Sequence, residues 1–400
     1  MEYFAAQYQG GSGALLDGGV LMTEEERSNV NELDEAAQSL ALQVRSAFEN
    51  SSQFGGMFID RDAHRVVFLA VGEAVVMRRA VTAADKSGLA VVRSAKFSYT
   101  QLQQVGLELA TARAGVLASQ GVTVLATDVN ERENVVEVSL REESERARGI
   151  VSSELPEGIV RFIGPVSMQS TGVNRLDAPP LAGGQRITRP AQQVGYITAC
   201  TSAFAGYNSR QVATQTVREY FLITAGHCGG DATRPCSQSG DNPAQGAYPI
   251  GASDRNTYEG TTAADSQRIP IRAVDAAFVI RISSIRSNVV STQQAASADV
   301  IGERVCMSGA TSSEMERCGT LQSRNFTGGA GDGRTIVRQR TASWVALQGD
   351  SGGSVYNISQ AKGVVFGNAV YGAGTPSEVV RGVYSHIGEV LTALGVVRVS

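Results

Sequence analysis

From about residue 196 to about residue 385 the chain carries almost no helix signal. Short β-branched and aromatic runs alternate there with turns rich in Gly, Ser, Thr and Asn. Such runs leave their backbone N–H and C=O groups unpaired unless they join laterally, so they must form sheets. Their spacing points to an all-β domain, a barrel or a sandwich. One helix closes the stretch, "SHIGEVLTALGVV" (385–397), with apolar residues at helical intervals.

The first half reads as α+β. Residues 22–50 open with Thr23 and a run of acids, a capped helix start, followed by Leu33, Ala36, Ala37, Leu40, Val44 and Phe48. "FGGMFIDRDAHRVVFLAVGEA" (54–74) reads as a hairpin turning at Asp60–Ala63. A helical pattern returns over 99–119 through Leu102, Val105, Leu107 and Leu109, and 121–140 is again strand, turn, strand. Pro179, Pro180 and Pro190, with Gly183 and Gly184, mark a boundary. The expected division is a helical segment 1–53, an α+β region 54–175, a linker 176–195 and the β domain 196–400.

All five cysteines (Cys200, Cys228, Cys236, Cys306 and Cys318) fall in the second half. That clustering suits one disulfide-bearing domain in an oxidising compartment, with one thiol left over. A zinc site is the weaker reading, because there is no C-x-x-C pair and His227 is the only histidine nearby. No metal or cofactor is expected. No stretch approaches the roughly 20 apolar residues of a membrane span. The start, "MEYFAAQYQGGSGALLDGGVLM", lacks basic residues, and glycines break its apolar run. The cysteines therefore point to a secreted protein while no leader is visible. A formal net charge of −4 gives no reason to expect nucleic-acid binding.

Chemistry concentrates around "LQGDSGGSVY" (347–356). Its Gly-x-Ser-x-Gly pattern fits either an α/β-hydrolase elbow or the nucleophile loop of a chymotrypsin-like peptidase. A serine nucleophile needs a base, and the chain has only His64, His227 and His386. The hydrolase order is Ser, acid, His, and only 49 residues follow Ser351, too few to carry that order through its strands and helices. The peptidase order is His, Asp, Ser. His227 in "YFLITAGHCGG" and Ser351 fit its outer members. Asp231, Asp241, Asp254, Asp265, Asp275, Asp299 and Asp332 compete for the middle place. Asp275 is expected to fill it, because it opens the apolar run "DAAFVIRI".

"LITAGHC" and "GDSGG", with "VDAAFV" between them, resemble the chymotrypsin-fold serine peptidases. "VCMSGATSSEMERCGTL" and "YSHIGEVLTALGV" resemble the bacterial branch of α-lytic protease and the streptogrisins. The resemblance covers roughly residues 180–400, and "FGGMFIDRDAHRVVFLAVGEA" more faintly resembles the pro region of such enzymes. It implies two six-stranded antiparallel barrels with a C-terminal helix, and a monomeric endopeptidase acting on proteins or peptides. It also implies that the first half serves as an intramolecular folding aid and inhibitor, removed between about residues 172 and 195. By the same resemblance Ser351 is the nucleophile, His227 the base and Asp275 its orienting acid. Gly349 and Ser351 would supply oxyanion N–H groups, and Cys200–Cys228 and Cys306–Cys318 would be disulfides, leaving Cys236.

The sequence departs from that pattern at four places. Met307 stands where the branch has an arginine for the aspartate before the nucleophile, so Asp350 needs Arg304 or Arg317 instead. Phe366, Gly367 and Asn368 replace the Ser-Gly-Gly of the substrate strand. Val345 replaces a disulfide cysteine. Ala346 and its neighbours bring no acid to the pocket base, which favours small or apolar residues before the cut. These changes leave room for an alternative, a peptidase-fold protein that binds a partner and cuts slowly or not at all.

Overall fold

The computed structural model describes the chain apart from residues 1–14, 18–19, 23, 165–166, 170–179, 190–197, 230–234, 239–247, 282–286, 311–315, 330–332, 348, 358–362, 376–377 and 398–400. In the first half, helix Glu24–Leu40 runs on through a π-helical turn, Ala41–Arg45, into Ser46–Phe48. The hairpin expected from the sequence is there. Strand Phe54–Asp60 pairs antiparallel with Arg65–Val71. The turn closes with His64 at φ 50°, in the left-handed region. Arg65–Val71 also pairs parallel with Ala90–Ala95, with helix Val75–Ala84 as the crossover.

The expected helix over 99–119 is two helices, Tyr99–Ala110 and Ala114–Ser119. The chain leaves helical geometry at Thr111 (φ −129°, ψ −84°), whose hydroxyl turns back to the Leu107 carbonyl. Such back-bonding competes with the helix ladder. Strands Val124–Asn130, Val135–Leu140 and Val160–Ile163 follow, with helix Glu145–Ser152 between the last two. A single buried cluster runs from Leu33 and Val44 through Met57, Phe68 and Leu102 to Val138. The N-terminal helix is therefore built into the same core as the strands after it.

In the second half six strands pair in a closed antiparallel ring: Arg304–Ser308, Glu316–Gly329, Thr335–Ala342, Glu378–His386, Gly363–Thr375 and Ser354–Asn357, the last returning to the first. Ring closure removes the free sheet edge. Among the described residues the lobe before it shows two four-stranded sheets, one around Phe204–Val212 and Gln215–Thr224, the other around Arg186–Arg189 and Thr198–Thr201, while its strands Leu181–Gly183, Ala276–Arg281 and Ser287–Gln293 pair on into the ring's sheet. Helix Ile387–Leu394 starts on His386, whose Nδ1 accepts from Gly388 N, and ends on Gly395 in the left-handed region. It buries Ile387, Val390, Leu391 and Leu394 against Phe204, Phe221 and Ile223. No described helix is long and apolar enough to cross a membrane.

The two halves share sheet, core and charge. Thr327 and Gly328 of the ring pair with Thr127 and Ala126, so the first half's strands extend the ring's sheet. Phe58, Val67 and Leu69 pack in one cluster with Ile301, Val305 and Met307. Arg324, 3% exposed, reaches Glu131 at 2.7 Å and Glu49 at 2.6 Å, and Arg381 reaches Asp128 at 2.7 Å.

Candidate active site

Strand Gln215–Thr224 becomes buried from Phe221 onward and ends in the 3₁₀ turn Gly226–Cys228. Gly226 is required there, because a Cβ would press on Tyr258, Asn256 and the Asp265 carboxylate. His227 follows, and Asp265 holds it at two atoms. The backbone N–H of His227 donates to Oδ1 at 2.9 Å, and Nδ1 lies 2.7 Å from Oδ2. The Asp265 side chain is fully buried, while His227 keeps 14% of its side-chain surface. The Tyr258 ring meets the imidazole edge-on at 5.7 Å. Two contacts from one carboxylate fix both the position and the tilt of the ring, and they assign the Nδ1 proton to the Asp265 side.

The expectation that Asp275 faces His227 is corrected here. Asp275 does open strand Ala276–Arg281, as its sequence suggested. That strand, however, pairs with Ser287–Gln293 and Leu181–Gly183. The histidine strand pairs instead with Gln267–Ile271, in a register that sets Thr224 against Gln267 and so brings residue 265 alongside the 226–227 turn. Asp275 is engaged by Arg272, whose Nε and Nη2 donate at 2.6 and 2.9 Å.

Ser351 is 7% exposed and lies between Gly349 (φ 94°) and Gly352 (φ 89°), both with left-handed backbone. A Cβ at position 352 would fall inside the Thr224 hydroxyl and the Thr201 carbonyl. Thr201 ties this loop to the histidine lobe. Its N–H donates to the Ser351 carbonyl at 2.7 Å, its hydroxyl donates to the Gly349 carbonyl, and that hydroxyl accepts from Ala310 N at 3.0 Å. The neighbouring Cys200 is bonded to Cys228, beside His227. Thr201, Asp265 and that disulfide thus draw His227 and the Ser351 loop to one place.

Asp350 is fully buried and takes a charged hydrogen bond from Arg317 at 2.6 Å, with a second from Leu347 N at 2.8 Å. Arg317 is the cross-strand partner of Met307, so the guanidinium reaches the aspartate from the strand next door. Arg304 has another role, with Nη2 3.4 Å from the Cys318 sulfur. Cys306 and Cys318 are bonded across the same strand pair. Cys200, His227 and Cys228, and likewise Cys306, Glu316 and Cys318, lie close enough to suggest metal sets. In each set both sulfurs are spent in a disulfide and are not thiolate ligands.

Of the expected pocket residues, Ala346 packs in the cluster of Trp344, Met307 and Val355. Gly367 is buried and pairs with Val355 and His386, while Asn368 pairs with Ser354 and Ser385. The side chains of Phe366, Asn368 and Cys236 lie outside the described residues. His64 sits in the 61–64 turn, and His386 is fully buried, with Nε2 3.3 Å from Asp299. Neither joins Ser351.

No protein-family model matches the chain, and no curated protein matches it. Among solved structures, Thermobifida fusca protease A is similar over 54% of this chain and 96% of its own, at 23% identity and a TM-score of 0.40. Nocardiopsis protease is similar over 54% and 97%, at 24% identity and 0.39. Cellulomonas bogoriensis chymotrypsin is similar over 55% and 99%, at 21% identity and 0.40. These three solved structures, two of them named as proteases and one as a chymotrypsin, are each similar to about half of this chain.

Proposed function

We propose that the chain is a serine endopeptidase in which Ser351 is the nucleophile, His227 the general base and Asp265 the orienting acid. The observation that carries this reading is the two-point hold of Asp265 on His227, beside a Gly-Asp-Ser-Gly-Gly loop bound to the same lobe through Thr201. In the proposed reaction the Ser351 Oγ adds to the substrate carbonyl as its proton passes to His227 Nε2. The C–N bond then breaks, and the same proton leaves with the amine. Water, deprotonated by His227, hydrolyses the acyl-enzyme. The N–H groups of Gly349 and Ser351 stabilise the oxyanion. One such donor is worth about 3 kcal/mol in comparable sites. Asp265 keeps the Nδ1 proton in place and stabilises the imidazolium as it forms.

The first half, on this reading, is a pro region that assists folding and occupies the enzyme until processing. Its strands continuing the ring's sheet support this. So do the carboxylates of Glu49, Glu131 and Asp128 receiving Arg324 and Arg381. Processing is expected upstream of Leu181, because Leu181–Gly183 and Arg186–Arg189 are strands of the second half. N-terminal sequencing of mature material tests this; a start beyond Arg189 would contradict it. Secretion is supported by the two disulfides. A preference for small or apolar residues before the cut is read by peptide-library cleavage.

A fluorophosphonate probe tests the central assignment. The expected result is stoichiometric labelling of Ser351 that disappears in Ser351→Ala. Folded, processed protein that takes no label would point to the binding-protein alternative.

A further inference from the structure

The proposed catalytic groups sit on two lobes. His227 and Asp265 belong to the sheet built on Gln215–Thr224, and Ser351 belongs to the loop entering Ser354–Asn357 of the ring. The separation of base and nucleophile is therefore set by whatever spans the lobes. Thr201 spans them on one flank. On the other flank lies a chain of fully buried polar groups.

Asp265 N–H donates to the Ser385 hydroxyl at 3.0 Å, and that hydroxyl donates to Gln339 Oε1 at 2.8 Å. Gln339 Nε2 donates in turn to the carbonyls of Ala263 and Val337, each at 2.9 Å. Asp265, Ser385 and Gln339 are each 0% exposed. The direction of the chain is forced. An amide that donates to two carbonyls with its nitrogen must present its oxygen to Ser385. The serine's single proton then goes to Gln339, and its lone pair takes the Asp265 N–H. Ala263 and Asp265 are thereby gripped, two residues apart, by adjacent strands of the ring, Thr335–Ala342 and Glu378–His386.

We infer that Ser385 and Gln339 are positioning residues that hold the backbone of Asp265, and through it the ring of His227, in register with Ser351. This rests on Asp265 being the acid of the proposed peptidase. Neither residue needs to touch substrate. Their effect passes through one carboxylate, and a displacement of that carboxylate tilts the base away from the nucleophile.

The test uses the full-length gene product after processing and the saturating rate at which a fluorophosphonate modifies Ser351. Ser385→Ala and Gln339→Met are each expected to lower that rate roughly 10- to 100-fold. The half-saturating probe concentration should change little. Ser385→Thr, which keeps the hydroxyl, should recover most of the rate. In an Asp265→Asn background, Ser385→Ala should cost nothing further, because its path through the acid is already cut. A wild-type rate in both single variants would overturn the inference, as would the same fold loss with and without the Asp265 carboxylate. If processed wild-type protein takes no label, the peptidase reading fails and carries this inference with it. Labelled wild type with unaffected variants removes this inference alone.

Discussion

At the scale of single residues, the proposed acid is set apart from Asp275 by its contacts to His227. Asp265 meets both the backbone N–H and Nδ1 of His227, while Asp275 is taken by Arg272. Replacing the first by its amide keeps the shape and reverses the tautomer preference of the imidazole. Asp265→Asn should therefore lower kcat toward casein roughly 10⁴-fold. Asp275→Asn should leave kcat within about threefold, since its carboxylate serves a surface arginine. Steady-state rates of the two variants side by side check the assignment, and the reverse ranking would restore Asp275.

At the scale of elements, strand pairing decides how Asp350 is neutralised. Arg317 and Met307 are directly opposite on antiparallel strands, where facing Cβ atoms lie about 5 Å apart. A guanidinium from either strand can serve one buried carboxylate. Arg317→Met would take the guanidinium from the buried Asp350 charge, at a cost of about 3–5 kcal/mol. Restoring the charge from the other strand, Met307→Arg with Arg317→Met, should recover a measurable part of the lost Tm. Thermal unfolding of wild type, single and double variants reads this out; a double variant no better than the single would deny the exchange.

At the scale of the whole molecule, the halves are joined by arginines buried in carboxylates. Arg324 touches Glu49 and Glu131 and lies over the Tyr99 ring at 4.6 Å. Arg324→Ala strands two acids and should lower stability by about 3–5 kcal/mol, measured as Tm of the full chain. The joint also gives the molecule a pH dependence. Burial, opposed by Arg381, lifts Asp128 to about 7. Its folded pKa exceeds the ordinary value of 3.8, so the folded state holds the proton more tightly. The contribution of Asp128 is complete below about pH 4 and is lost as the pH rises through 7. Glu49 and Glu137 are held below their ordinary values despite burial, Glu49 by Arg324 and Glu137 by its hydrogen bonds to Asn130 and Arg161. Their contribution is present above the ordinary pKa and fades only at more acid pH. Asp128→Asn should accordingly flatten the Tm–pH curve between about 4 and 7 and leave its acid limb. A curve unchanged in that window would show that Asp128 does not titrate there.

What could be read from the chain in one dimension was local. Alternation and turn residues foretold the hairpin at 54–71, helical spacing foretold the buried face of Ile387–Leu394, and the order of His227 and Ser351 with their glycines foretold the loops that carry them. These features depend on residues within a few positions of each other, and so the sequence records them directly. The carboxylate that holds His227 could not be found that way. Asp275 satisfied a local rule, since it heads an apolar strand, and Asp265 satisfied none. The choice lay in which strand pairs with Gln215–Thr224, and sheet partners are selected by packing across the whole lobe. The same holds for the choice of Arg317 over Arg304 beside Asp350, for Ser385 and Gln339 beneath Asp265, and for Arg324 between Glu49 and Glu131. The sequence by itself determined the secondary elements and the residue types that can do the chemistry. Only the tertiary structure decided which of those residues meet, because register and closure are properties of paired strands and no single strand carries them.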